Sequence, residues 1–286
     1  MGKVAIVTDS TSTIPAELIN GYPIFTLPLQ VIWGEQVLHD GVDISPDEFY
    51  ARLKTDHRHP TTSQATPAAF RELYLKLLKN DYDILSIHIS SKLSGTIDSA
   101  TKARESISKA NIEIVDSNTT SMEMGFHILA AARLAAQGAT LQECRSAAEQ
   151  ARSHTHIYFV LSTLEYLRRG GRIGGAAAFM GSVLNLKPIL EVHNGHIGAV
   201  ERVRTMNKAL DRLLELVESK VDKEHGPLRL AVLHADTPDE AQALLNRTCE
   251  RFGPSLVSEA LVSRISPVLG VHTGPGALGL TFMSGM

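Results

Sequence analysis

The sequence predicts an α/β protein of two domains, and three observations predict it. Short apolar runs alternate with amphipathic helical segments, which is the pattern of a parallel sheet flanked by helices. Helix starts repeat one device, a hydroxyl followed by proline, at Ser45-Pro46, Thr66-Pro67 and Thr237-Pro238. At 286 residues the chain exceeds what most single cores hold together.

Taken in order, Lys3 to Thr8 reads as a buried strand ending in Asp9-Ser10-Thr11-Ser12, ahead of a short helix with Pro15 near its start. Polar residues at the C-terminal end of a strand are where open α/β sheets place ligands. One apolar run follows from Ile24 to Trp33, leading through Gly34-Glu35 and Val37-Leu38 to Asp40-Gly41-Val42-Asp43. Ser45-Pro46-Asp47-Glu48 then opens a helix whose apolar side is Phe49, Tyr50 and Leu53. Thr66-Pro67 opens another, with Phe70, Leu73, Tyr74, Leu77 and Leu78 on one face. A strand at Ile84 to Ile89, a helix after Ser94-Gly95-Thr96 and a strand at Ile112 to Val115 come next. The last of these ends in Asp116-Ser117, echoing Asp9-Ser10. A helix from Thr120 to Gln137 and a capping-box helix at Thr140-Leu141-Gln142-Glu143 close the first half.

The texture changes between Ser153 and Ile157, which sets domains of 1–155 and 156–286. The second half reads as a strand from Ile157 to Leu161, a short helix, the basic turn Arg168-Arg169-Gly170-Gly171-Arg172, and an Ala- and Gly-rich helix reaching Leu186. Pro188 to His193 and the tight Asn194-Gly195 turn signal a hairpin, so antiparallel pairing enters here. A helix from Met206 to Val221, a strand at Leu228 to His234, a helix capped by Thr237 and ending at Gly253, and strands at Leu256 to Val262 and Ala277 to Met283 complete the chain.

Composition excludes several classes. A net charge of -3 with dispersed basic residues offers no attraction to nucleic acid and at most transient membrane contact. Cys144 and Cys249 have no zinc or redox spacing, and no apolar stretch has secretory or membrane-spanning length, so a cytoplasmic protein is expected. The pairs His57/His59, His154/His156 and His193/His196 lack the partners of a metal site, so no metal or cofactor is expected. Gly274-Pro275-Gly276-Ala277-Leu278-Gly279 spells the dinucleotide fingerprint but has no room for the helix that must follow it. It reads better as a glycine turn letting backbone approach a ligand or the other domain. Phosphate-loop and nucleophile-elbow signatures are absent.

Positive evidence centres on Pro60 to Thr96. Thr61-Thr62-Ser63 and Ser94-Gly95-Thr96 each put hydroxyls where a helix should begin, one strand apart. As N-caps they need no ligand. As a pair, with Gly95 clearing space, they offer neutral donors to a small anion. Arg168, Arg169 and Arg172 read either as a solvated turn or as a phosphate or protein-docking patch.

Val4 to Ser10, Asp40 to Ile44, Thr62-Ser63-Gln64, Leu93 to Thr96, Val115-Asp116-Ser117, Leu167 to Ile173 and Gly274 to Gly279 together resemble the DegV family, in order and across nearly the whole chain. That family includes FakB, the fatty-acid-binding subunit of bacterial fatty acid kinase. The resemblance implies an α/β/α first domain with a parallel sheet, a two-layer second domain with a mixed sheet, and a long-chain fatty acid enclosed between them. It implies a carrier that is not itself an enzyme, presenting the acid's carboxyl to a separate ATP-binding kinase subunit, with the acyl phosphate passing towards phospholipid synthesis. Thr62, Ser94, Gly95 and His272 would then hold the carboxylate. Arg169 and Arg172 would serve kinase docking or phosphoryl transfer, and Arg204, favoured over Arg202, would lie by the phosphoryl position. Ala65 and Lys92 depart from the family pattern, which favours proline and a small residue there. Burying a ~16-carbon tail at ~0.8 kcal/mol per methylene is worth on the order of 12 kcal/mol gross, so neutral hydroxyls suffice at the head. Two other classes compete: a lone acyl hydrolase or transferase using Ser94 or Thr62 with His272 as base, and a lipid-responsive regulatory protein.

Overall fold

The computed structural model describes residues 2–180, 186–221 and 226–286. The first half contains strands β1 (Lys3–Asp9), β2 (Ile24–Leu27), β3 (Gln30–Trp33), β4 (Gln36–His39), β5 (Thr61–Ser63), β6 (Tyr82–His88) and β7 (Ile112–Asp116). Its helices are α1 (Ala16–Ile19), α2 (Pro46–Thr55), α3 (Pro67–Leu78), α4 (Thr96–Glu105), α5 (Ser121–Ala136) and α6 (Leu141–His154). The second half contains β8 (Thr155–Val160), β9 (Lys187–His193), β10 (His196–Val203), β11 (Leu228–His234), β12 (Val257–Arg264) and β13 (Leu278–Ser284). Its helices are α7 (Glu165–Arg169), α8 (Met206–Glu218), α9 (Pro238–Phe252) and α10 (Pro267–Thr273).

Strands β2-β1-β6-β7, in that order, form a parallel sheet. Both of its faces are buried, which is why its strands read as near-continuous apolar runs. Ala5, Val7, Ile84 and Ile112 pack with Phe70, Tyr74, Ala100 and Ala103 of α3 and α4. Val4, Ile6, Leu85 and Ile87 face the other way, towards Met122, Phe126, Leu129 and Ala148 of α5 and α6. Three layers result. Ser45 and Thr140 make full capping boxes with Glu48 and Glu143, as their spacing implies. Thr237 stands at the N-cap of α9 but makes no side-chain cap bond, so proline and the acids in the first turn start that helix.

The mixed six-stranded sheet runs β10-β9-β8-β13-β11-β12. One face, with Tyr158, Val160, Leu230, Val232, Leu280 and Phe282, is covered by α8 and α9. The opposite face, with Ile157, Leu190, Val192 and Leu233, joins the core cluster of the first half. This half therefore has two layers of its own and leans its second face on its neighbour.

Three expectations are corrected. The run from Ile24 to Trp33 is two strands, because Pro28 interrupts it; β2 joins the parallel sheet while β3 pairs antiparallel with β4 and β5. Thr61-Thr62-Ser63 opens no helix. It is the edge strand β5, paired with Ile32, Val31 and Gln30, and the following helix is capped by Thr66, whose hydroxyl accepts from the N–H of Ala69. In place of an Ala- and Gly-rich α-helix, Gly174–Phe179 is a 3-10 segment; the part of that expectation falling on 181–185 lies outside the described residues. Gly174 has φ +48 and no room for a Cβ beside the Ile197 carbonyl, which disfavours regular α-helix there. Helix α10, absent from the sequence reading, carries His272. No helix among the described residues is long and apolar enough to cross a membrane.

Candidate functional site

Order reverses in the parallel sheet between β1 and β6, since β2 follows β1 to one side and β7 follows β6 to the other. Ligands in open α/β sheets sit beyond the C-terminal strand ends at such a point. Asp9, ending β1, stitches the two strands there: its carboxylate accepts from the N–H of Ile89 at 3.1 Å and meets His88 Nδ1 at 3.0 Å. A cavity opens beyond these ends, its wall including Thr11 after β1, Ser94 after β6, and Thr120 and Ser121 after β7. The apolar face of the mixed sheet turned towards the first half supplies Ile157, Phe159, Val192 and Leu233, and α10 supplies Val268, Leu269 and His272. The space among these atoms, including the part open to solvent, is about 950 Å³. The wall is mostly apolar, and Arg172 is its one permanently charged residue among those described.

Polar groups converge around Thr62. Its Oγ1 lies 2.9 Å from Nε2 of His272. Burial, and secondarily the Arg172 guanidinium, hold the His272 ring down at about 4, so it is neutral at pH 7. Its other nitrogen, Nδ1, has no hydrogen-bond partner among the described residues and faces Gly170, where any Cβ would strike the ring. Arg172 is exposed and fixed by donation to two carbonyls, from Nε to Leu93 at 3.0 Å and from Nη1 to Gly170 at 2.7 Å. Ser94, next to Leu93, shares a 2.8 Å hydrogen bond with Thr96. This set can bind a small anion through hydroxyls, a neutral imidazole and one guanidinium. Thr62 and His272 also form a hydroxyl–imidazole pair, but no acid among the described residues orients the far nitrogen.

The structure thus brings Thr62, Ser94, Gly95, His272 and Arg172 to one region. Gly95 acts differently from the sequence expectation. A Cβ there would come within 2.9 Å of the Gln64 amide, so the glycine admits Gln64, itself part of the cavity wall, before it admits a ligand. Arg169 does not line the cavity; it pairs with Glu165 at 2.6 Å, as Arg168 does at 2.7 Å. Arg202 and Arg204 are also outside the wall: Arg202 stacks 4.9 Å above the Phe179 ring, and Arg204 is exposed just past β10. Lys92 lies over the β9–β10 turn, its stem against Gly195, and Ala65 is buried in the core beneath α3. Gly170 and Gln64 carry roles that neither composition nor spacing announces, because each depends on a partner distant in sequence. Gly274, at φ +70, lets the chain pass against the ring of Tyr166, and Gly279 lines the cavity from β13.

The sequence profile described as "uncharacterised protein, DegV family" matches residues 3–285. A DegV domain-containing protein of Streptomyces coelicolor is 42% identical over 284 residues, covering 98% of each chain. A DegV family protein from Thermus thermophilus, whose structure is described as showing fatty acid binding, superposes with a TM-score of 0.91 at 34% identity, covering 99% of both chains. DegV of Bacillus subtilis, described as a fatty acid binding protein, gives 0.89 at 33% identity over 99% of this chain and 100% of that one. With this match along its length, its three-layer and two-layer halves and its apolar cavity between them, the chain belongs to the DegV family.

Proposed function

We propose that the protein binds a long-chain fatty acid in this cavity, with the tail against the mixed sheet and α10 and the carboxylate at Thr62, Ser94 and His272. The observation that carries the reading is the Thr62–His272 contact beside Arg172 in an otherwise apolar wall. Relatives of similar structure are described as fatty acid binding, which supports the same ligand class here. Hydroxyl donors hold a carboxylate without locking both oxygens in an arginine fork, so one oxygen stays free to react. On this reading the protein is a cytoplasmic carrier that offers the carboxyl to a separate ATP-binding kinase subunit and returns with an acyl phosphate. Arg172, exposed at the head group, would meet the phosphoryl group, while Arg169 and Arg204 would belong to the docking surface.

Native mass spectrometry followed by solvent extraction tests the carrier reading. One fatty acid per chain is expected; an empty chain that hydrolyses acyl esters would establish the lone-enzyme alternative. Arg172→Ala is expected to keep lipid binding and lose phosphorylation by a cognate kinase subunit. A chain that binds lipid normally but is never phosphorylated would point to the regulatory alternative.

A further inference from the structure

Helix α10 is docked with its polar groups poorly satisfied. Asp40 Oδ1, Ser266 Oγ and His272 Nδ1 are all buried, and none makes a hydrogen bond of ordinary geometry to a described residue, although Ser266 Oγ and the Val268 N–H lie near enough to the Asp40 carboxylate to steady its charge. The first lies under the N-terminal turn of α10, the second begins the helix and the third is near its end. Buried polar atoms without well-formed hydrogen bonds are rare and costly, so two on one short element and a third beneath it mark a place where tight docking is opposed.

Apolar fit works the other way and favours docking. Gly270 lets the helix sit against Phe49 and Tyr50, where a Cβ would come within 2.6 Å of one ring and 2.8 Å of the Tyr50 hydroxyl. Gly274 and Gly276, both with positive φ, join α10 to β13 and provide backbone freedom at its C-terminal end. Val268, Leu269 and His272 on the same helix form part of the cavity wall.

Asp40 is the sharpest opposing group. Its Oδ2 accepts from the Ser10 hydroxyl at 2.7 Å. Ser266 and the N–H of Val268 face the carboxylate from α10, and Asp9 adds a like charge from β1. Tyr50 from α2, with Arg264 and Asp236 beyond it, completes the charged and titratable surroundings. No cation pairs with Asp40 among the described residues.

We propose that α10 is a cover over the cavity, and that the unpaired Asp40 carboxylate beneath it sets how readily the cover opens to exchange ligand. Burial first, and Asp9 to a smaller degree, raise Asp40 from the ordinary 3.8 to about 6. Lifting α10 hydrates the carboxylate and returns it towards the ordinary value, so ionised Asp40 favours the open form. That bias is complete above about pH 6 and fades as pH falls towards 4. His272 acts in the other sense, because opening frees its ring to take a proton in acid. The two oppose each other in the wild-type profile, so the effect of Asp40 is read from the ratio between variant and wild type.

Hydrogen exchange on the delipidated whole chain tests this at the amides of Gly270 and Gly274, which bond within α10 to the carbonyls of Ser266 and Gly270 and lose protection when the helix lifts, because seven residues without tertiary packing do not hold a helix. Asp40→Asn is expected to slow their exchange at pH 7.5 by up to about a hundredfold, the limit set by the difference between 3.8 and about 6. The ratio should shrink by about tenfold at pH 5. Ser266→Ala removes a donor facing the carboxylate without removing a helix cap, since Ser266 makes no cap bond; exchange at pH 7.5 should speed up. A merely structural role for Asp40 predicts faster exchange in both variants, and faster or unchanged exchange in Asp40→Asn overturns the proposal. If Asp40→Asn does not fold, the pH dependence of Ser266→Ala decides: its faster exchange should shrink as pH falls from 7.5 towards 4 and Asp40 takes up its proton, and an effect that is absent, or the same at both pH values, overturns the proposal. The identity of the ligand admitted rests on the fatty-acid reading. Stopped-flow binding of a fluorescent long-chain fatty acid should show both association and dissociation slowed in Asp40→Asn; absence of any binding would count against that reading and leave the exchange result standing.

Discussion

Thr62 and His272 are 210 positions apart in the chain and 2.9 Å apart in space. Their contact makes the proposed head-group site a product of the whole fold. Thr62→Ala is expected to weaken fatty-acid binding by about 1.5–3 kcal/mol, the usual worth of a hydrogen bond to a charged acceptor. Ser94→Ala should cost a similar amount, roughly ten- to a hundredfold in affinity by titration calorimetry. Circular dichroism should be unchanged in both, and full affinity in both would place the carboxylate elsewhere. His272 titrates at about 4 in the fold, below its ordinary 6.5. Between those values the unfolded chain binds the extra proton, so this residue's share of stability is present above pH 6.5 and is lost as pH falls towards 4. His272→Gln should therefore lose less stability than wild type between pH 7 and 4.5 in urea melts, by a difference on the order of 3 kcal/mol at most.

At the scale of elements, α10 depends on two glycines more than on its own helical propensity. Gly270→Ala would raise that propensity, yet the added methyl runs into Phe49 and Tyr50. A loss of about 1–3 kcal/mol in urea unfolding is expected, against the gain that propensity alone implies. Elements were readable from the sequence where local chemistry decides them. The runs of β1, β6 and β7 and the caps at Ser45, Thr66 and Thr140 are in this class. Those decided by distant partners were not. Strand β5 is three hydroxyl residues that become a strand only because β3 lies beside them, and α10 is seven residues carrying a glycine that helical patterns disfavour. The site divides the same way. Hydroxyl clusters pointed to Thr62 and Ser94 and the basic turn to Arg172, whereas His272 entered by family resemblance, and the pairs Gly95–Gln64 and Gly170–His272 have no local signature.

Across the whole molecule, ion pairs among the described residues that join the two halves include Lys54–Asp236, Arg264–Asp47 and the less exposed Arg133–Glu259. Lys54–Asp236 and Arg264–Asp47 involve side chains with large solvent access, so removing either pair should shift stability by less than about 1 kcal/mol. Apolar contact across the cavity matters more. A fatty acid at one hundred times its dissociation constant should add about 2.7 kcal/mol to the folded state, seen as a higher melting temperature than that of delipidated protein.

One face of the mixed sheet carries helices α8 and α9, while the other meets the first half and the cavity. Where a sandwich would place a third sheet of side chains, this protein has a space. A bound acyl chain would serve there as a detachable piece of hydrophobic core, supplied from outside and given up again with each delivery. Each round of transport would then include a brief interval in which the protein is structurally incomplete. Proteases that sample loosened chains would act mainly in that interval, and the protein's abundance in a cell would follow the supply of its ligand.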